Sequence, residues 1–135
     1  KLIIEQVLKH VYKSSKLNKN PKIGILGITF KEDCHNIRNS QIAKIYKGLS
    51  EYNMQPIVHD PLASSEEVQK QYGIKLVSWN EFSSLDILII AVSHSSFKKL
   101  SPNQIKNTLS PNGSIIDVKS MLKLEEFSSY QVWQL

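Results

Sequence analysis

Two cations in one polar loop are the first residues here that suggest chemistry. Lys31 and Arg38 lie in the run FKEDCHNIRNS, which leaves the apolar segment IGILGITF and ends where Ser40 can start a helix. Lysine offers a mobile point charge and arginine a bidentate fork, a pair suited to a phosphate ester. A plainer arrangement is equally open on residue types alone, in which Arg38 pairs with Asp33 or Asp60 and ties the loop down. Cys34 sits between the cations, the usual setting of a reactive thiol. The four histidines, His10, His35, His59 and His94, have no metal-ligand spacing, and a single cysteine excludes an internal disulfide and a CxxC zinc site. No residue is therefore assigned as catalytic or metal-binding.

The segments that must position this loop alternate in period. Residues 2–16 carry Ile3, Ile4, Val7, Leu8 and Val11 at helical spacing, and Asn18 to Pro21 break that pattern. IGILGITF suits a strand buried on both faces. Ser40 caps a second helix with Ile42, Ile45, Tyr46, Leu49 and Tyr52 on one side, and Asn53 is a left-handed stop. The short strand QPIVHDP follows. Ser64 and Glu67 then form a capping box, Gly73 closes that helix, and IKLVSW reads as an edge strand. After a turn of helix over 80–85, LDILIIAVSH is the most apolar strand and belongs at the centre of the sheet. Ser101-Pro102 opens another helix that stops before Pro111-Asn112-Gly113, and GSIIDVK and YQVWQL are the last strands.

This alternation predicts an α/β fold: a doubly wound, Rossmann-like, mostly parallel sheet of about six strands with helices on both faces. Ligands in such sheets bind beyond the carboxyl ends of the strands where strand order reverses, which directs attention to loops beginning near Phe30 and Ser93. A dinucleotide cradle there needs G-x-G-x-x-G. Gly27 serves as the first glycine, but Thr29 and Glu32 occupy the other two positions, and a carboxylate repels a pyrophosphate. Asp60 stands where an acid reading a ribose hydroxyl is found, although Asp-Pro is also an ordinary turn opener and the turn is the favoured reading. For His94 the expected role is a backbone hydrogen bond that fixes the loop, with ligand contact the alternative. Trp79 and Trp133 are expected to pack, with stacking on a ligand's planar ring the alternative for one exposed near the cleft.

Composition narrows the partners. The 135 residues, 41% apolar, make one core. The longest apolar run, residues 87–92, is far short of a bilayer span and no cleavage signal opens the chain, so a cytoplasmic protein is expected. A net charge of +5 favours a polyanionic partner, yet the 17 Lys and Arg are scattered without an arginine block or an aromatic-interleaved basic ribbon. Nucleic acid is therefore disfavoured relative to a small phosphate ligand.

At this point the residues become familiar. GITFKEDCHNIRNS resembles the G-x-x-F-K-x-x-x-x-D-x-R-x-S signature that opens the C-terminal domain of the UDP-glucose/GDP-mannose dehydrogenase family. VHDP, AVSHSSF, and DVKS followed by VWQL resemble further landmarks of that family in the same order, so the resemblance spans residues 22–135. It implies a UDP-binding domain over residues 21–135, preceded over 1–20 by the end of a long inter-domain helix that would mediate a homodimer. The family oxidises the C6 hydroxyl of a nucleotide sugar to a carboxylate in two NAD-dependent steps through a cysteine thiohemiacetal. The resemblance implies that Phe30, Lys31 and Lys119 line the UDP-sugar site and that Arg38 reaches NAD bound mainly by the other domain. The family's nucleophile lies in a G-G-x-C-F-P-K motif absent from this sequence, so Cys34 is an incidental loop residue and this chain alone is expected to be inactive. Asn36 replaces the signature aspartate, which puts the placement of Arg38 in question. Lys119, AVSHSSF and VWQL resemble the branch acting on UDP-N-acetylhexosamines. The alternative is a stand-alone Rossmann-like module that binds a nucleotide for regulation or interaction.

Overall fold

The strand signals resolve into one parallel sheet. The computed structural model describes residues 2–13 and 20–135; the expected helical residues 14–16 fall outside them. Strands β1 (Ile23–Leu26), β2 (Ile57–His59), β3 (Leu85–Ile90), β4 (Leu109–Asp117) and β5 (Gln131–Gln134) are hydrogen-bonded in the order β2-β1-β3-β4-β5, every pair parallel. The most apolar strand, β3, is central as expected. Strand order reverses between β1 and β3, which puts the switch point at the ends of those two strands.

Alternation along β3 supplies both cores. Ile87 and Ile89 join one apolar cluster, with Ile3 and Val7 of α1 (Leu2–Lys13), Ile42, Ile45 and Leu49 of α2 (Gln41–Ser50), and Val68 of α3 (Ser65–Tyr72). Leu88 and Ile90 face the other, with Phe97 of α4 (Ser95–Lys98), Ile105 of α5 (Pro102–Lys106), and Phe82 and Phe127 beside two short 3-10 turns. Helices on both faces make the sheet doubly wound. The apolar stripe of α1 is covered by this domain itself: Ile3 and Val7 are buried, and Ile4 packs over Gly48 of α2.

The caps follow the sequence, except that the capping box expected of Ser64 and Glu67 forms only its Ser64 half. The Ser40 hydroxyl accepts the Ala43 N–H, Ser64 accepts that of Glu67, Gly73 closes α3 in the left-handed region at φ 69°, and Ser101 with Gln104 forms a full capping box before Pro102. Asn53 takes φ 63°, the left-handed stop expected of it.

Three expectations need correction. The sheet has five strands, because IKLVSW contributes only an isolated Val58–Leu76 bridge. Its would-be partner β2 is three residues long and leaves no ladder to extend. Helix α2 ends at Ser50, so Tyr52 lies beyond it, 56% exposed. Finally, β4 starts at Leu109, before the Pro-Asn-Gly break. The register jumps from Leu85↔Leu109 to Ile87↔Ser114, so residues 110–113 bulge out of the ladder. A Cβ on Gly113 would lie 2.8 Å from the Leu85 carbonyl oxygen, which explains glycine at the return.

Candidate functional site

The segment leaving β1 turns sharply and is then held from three sides. Gly27 adopts φ 98°, and a Cβ there would fall 2.5 Å from Val92 Cβ, so the strand end can pass β3 only as glycine. Next, the backbone N–H groups of Ile28 and Thr29 donate to Asp60 Oδ2 at 2.7 and 3.2 Å. Asp60 Oδ1 accepts the Leu62 N–H, so this residue opens its own turn and also crosses from β2 to the β1 loop. Both Asp60 oxygens lie 3.1 Å from His94 Nε2, with both side chains fully buried. His94 is fully buried and fixes backbone, as expected. Its Nδ1 accepts the Asp33 N–H at 2.9 Å.

Asp33 is the third tether. In the left-handed region at φ 56°, it accepts the Ser95 hydroxyl at 2.6 Å and the Ser95 N–H at 2.8 Å. These contacts, the hydroxyl first, hold its carboxyl below the ordinary aspartate range. Glu32 makes an exposed ion pair with Lys98 of α4 at 3.4 Å, which contributes little.

With the backbone so held, Phe30 is 56% exposed and Lys31 is exposed, and both line a cavity of 380 Å³ beyond the carboxyl ends of the strands. Lys119 lines the same cavity from the loop after β4. The three residues singled out for substrate binding thus share one site. A buried carboxylate shapes the second loop as it does the first: Asp117 accepts the N–H groups of Met121 and Leu122 at 3.0 and 2.8 Å and the Gln134 amide at 2.8 Å. Ser120, at φ 52°, makes the turn between. Asp117 was not singled out from sequence, although an acid ending a buried strand just before a short polar loop is the signal for such a clamp. Nor were Lys44 of α2, a third cation on the cavity wall, or the apolar wall from Leu2, Ile3 and Ile4 of α1.

Arg38 stands apart from this group. It lines a separate 590 Å³ cleft with Asn36, Glu67, Lys70 and Gln71. Neither Asp33 nor Asp60 pairs with it; its Nε donates to Asn36 Oδ1 at 3.3 Å, and that oxygen also accepts the Arg38 N–H at 2.9 Å. Asparagine keeps the orienting contact that the missing aspartate would make, without the charge. The Tyr72 hydroxyl donates to the Ile37 carbonyl at 2.5 Å and accepts the Ser40 N–H at 3.2 Å, bracketing Arg38 on both sides. Cys34 Sγ accepts the Asn36 N–H at 3.3 Å. Trp79 stacks on Phe82, and Trp133 packs half-buried against the α1 side of the core.

Chemically, the main cavity offers ammonium groups, an exposed aromatic ring and an apolar floor. That set suits an anionic ligand with a planar or apolar part. Among the described residues no acidic or histidine cluster could hold a metal ion, and no helix is long and apolar enough to cross a membrane.

Comparison with known proteins agrees with this fold. The model of the UDP-glucose/GDP-mannose dehydrogenase family, UDP binding domain, matches residues 24–124. UDP-N-acetyl-D-glucosamine 6-dehydrogenase of Salmonella typhi is 34% identical over 124 residues, covering 92% of this chain and 29% of the relative. This chain thus spans under a third of that protein's length. Among solved structures, NDP-N-acetyl-D-galactosaminuronic acid dehydrogenase from Methanosarcina mazei Go1 superposes with a TM-score of 0.80 at 18% identity, covering 98% of this chain and 28% of that one. UDP-D-ManNAc dehydrogenase from Pyrococcus horikoshii gives 0.75 at 17% identity over 95% of this chain and 28% of its own. At those identities the structures establish a shared fold.

Proposed function

Because this chain belongs to the UDP-glucose/GDP-mannose dehydrogenase family, as its UDP-binding domain, we propose that it forms one wall of a UDP-sugar site in which Lys31 and Lys119 grip the diphosphate and Phe30 packs against the nucleotide. The observation that carries this reading is convergence. Lysines from loops after two different strands, β1 and β4, line one cavity beside an exposed ring. Point charges that approach from two sides can hold both phosphates, and each charged hydrogen bond strengthens when water is excluded.

The full protein is proposed to be an NAD-dependent 6-dehydrogenase that oxidises a UDP-N-acetylhexosamine at C6, in the cytoplasm, for surface polysaccharide synthesis. The names of relatives at 34% and 32% identity, both UDP-N-acetyl-D-glucosamine 6-dehydrogenases, support that branch. NAD itself does not fit the β1 loop of this chain. Thr29 and Glu32 replace the cradle glycines, and the Thr29 side chain is 1% exposed and bonded to the Lys31 carbonyl. We therefore place the cofactor cradle and the cysteine nucleophile outside this chain, with Arg38 reaching the cofactor across the domain cleft. Residues 1–20 are proposed as the end of the inter-domain helix and of a homodimer contact, and residues 21–135 as the binding domain. By itself the chain binds without reacting.

Calorimetry of the 135-residue chain with UDP, NAD and a short DNA duplex tests this reading. UDP alone should bind, weakly, because half of the site lies elsewhere. Binding of NAD alone would instead indicate a conventional dinucleotide domain, and salt-sensitive DNA binding a nucleic-acid module.

A further inference from the structure

His94 and Asp60 line no part of the main cavity, yet their polar atoms meet at the backbone that presents two of its residues. Thr29 N–H donates to Asp60 and Asp33 N–H donates to His94 Nδ1. Between those two anchors lie only Phe30, Lys31 and Glu32. A backbone N–H can only donate, so Nδ1 must be the acceptor. The ring proton then sits on Nε2, where it points at both Asp60 oxygens at 3.1 Å, with Thr29 Oγ1 at 3.3 Å. The titratable and charged groups around this node are accounted for: Asp33 is bonded to Ser95, Glu32 and Lys98 pair with each other, and no buried polar side-chain atom among the described residues lacks a partner.

Resting on the UDP reading, we infer that His94 is a positioning residue for nucleotide binding: as the Nε2–H tautomer it joins Asp60 to the Asp33 N–H and holds the Phe30–Lys31 segment in its binding shape before ligand arrives. Without that link the Asp33 end would be held only through its carboxylate on Ser95, and ligand would have to order more of the segment. A loop ordered in advance avoids that entropic cost, which otherwise subtracts from affinity. Asparagine or glutamine at this position reproduces half of the link each. Asn can present a carbonyl near Nδ1 for the Asp33 N–H, whereas Gln reaches toward Nε2 and can donate to Asp60.

The experiment is an NMR titration of the 15N-labelled 135-residue chain with UDP, for wild type, His94→Asn, His94→Gln and, as a control, Val68→Ala. Val68 is fully buried on α3 and lines no part of the cavity, so its truncation lowers the melting temperature by packing loss alone. The expected result is Kd weakened by about fivefold in each His94 variant, the equivalent of one lost hydrogen bond, and unchanged in Val68→Ala. The wild-type ring nitrogens should also show a protonated Nε2 and an acceptor Nδ1, a readout that needs no variant to fold. Unchanged affinity in the His94 variants, or a proton on Nδ1, overturns the positioning role while leaving the UDP reading intact. If wild type itself fails to bind UDP, the functional reading falls first and this inference with it.

Discussion

Single side chains carry more of this site by holding backbone than by facing ligand. Asp33 is the clearest case, since its carboxylate joins the loop after β1 to the start of α4 through Ser95. Its pKa is lowered in the fold, chiefly by the Ser95 hydroxyl, so the sign of its pH dependence is fixed. The tether is fully present above the ordinary aspartate value and is lost as pH falls through the lower, folded value. In an NMR pH titration the Ser95 amide shift should therefore move with a midpoint below that ordinary value, and Asp33→Ala should abolish the transition. A midpoint at or above it would mean that the tether is not formed in solution. Part of the arrangement was legible early: motif singled out Lys31 and Lys119, which line one cavity, and the fixing role of His94 followed from its place at the end of the central strand. Lys44 was not, because its importance depends on which faces meet in space, while the local clamp signal at Asp117 was passed over.

Elements explain why those side chains converge. Most caps and the central place of β3 were readable because each rests on local composition: serine at helix starts, Gly73 and Asn53 at left-handed stops, the near-continuous apolar run of β3. What failed was non-local. IKLVSW has strand-like alternation but meets a partner of only three residues, and the start of β4 depends on a bulge that local sequence reads as a break. Glycine at the crossing of β1 and β3 has a measurable consequence. Gly27→Ala must adopt positive φ and displace Val92, at a cost of about 2 kcal/mol or more. Gly73→Ala has the same backbone sign but open space around it, and should cost about 1 kcal/mol. Urea denaturation of both variants checks the ordering; equal losses would mean that the β1–β3 crossing is looser than described.

At the scale of the molecule, a small sheet presents two hydrogen-bonded loops to one cavity, and the charge of the chain acquires a location. Net positive charge alone favours any polyanion. Convergent lysines above an apolar floor favour a diphosphate attached to something flat. The separation of Arg38 into its own cleft gives the domain two faces, one proposed for substrate and one for a cofactor held elsewhere. Comparing UDP with uridine tests this account most directly. Calorimetry should show UDP binding wild type more tightly than uridine does, with the preference cut by about tenfold in Lys31→Ala/Lys119→Ala and uridine affinity little changed. A preference for UDP that survives loss of both lysines would contradict the account.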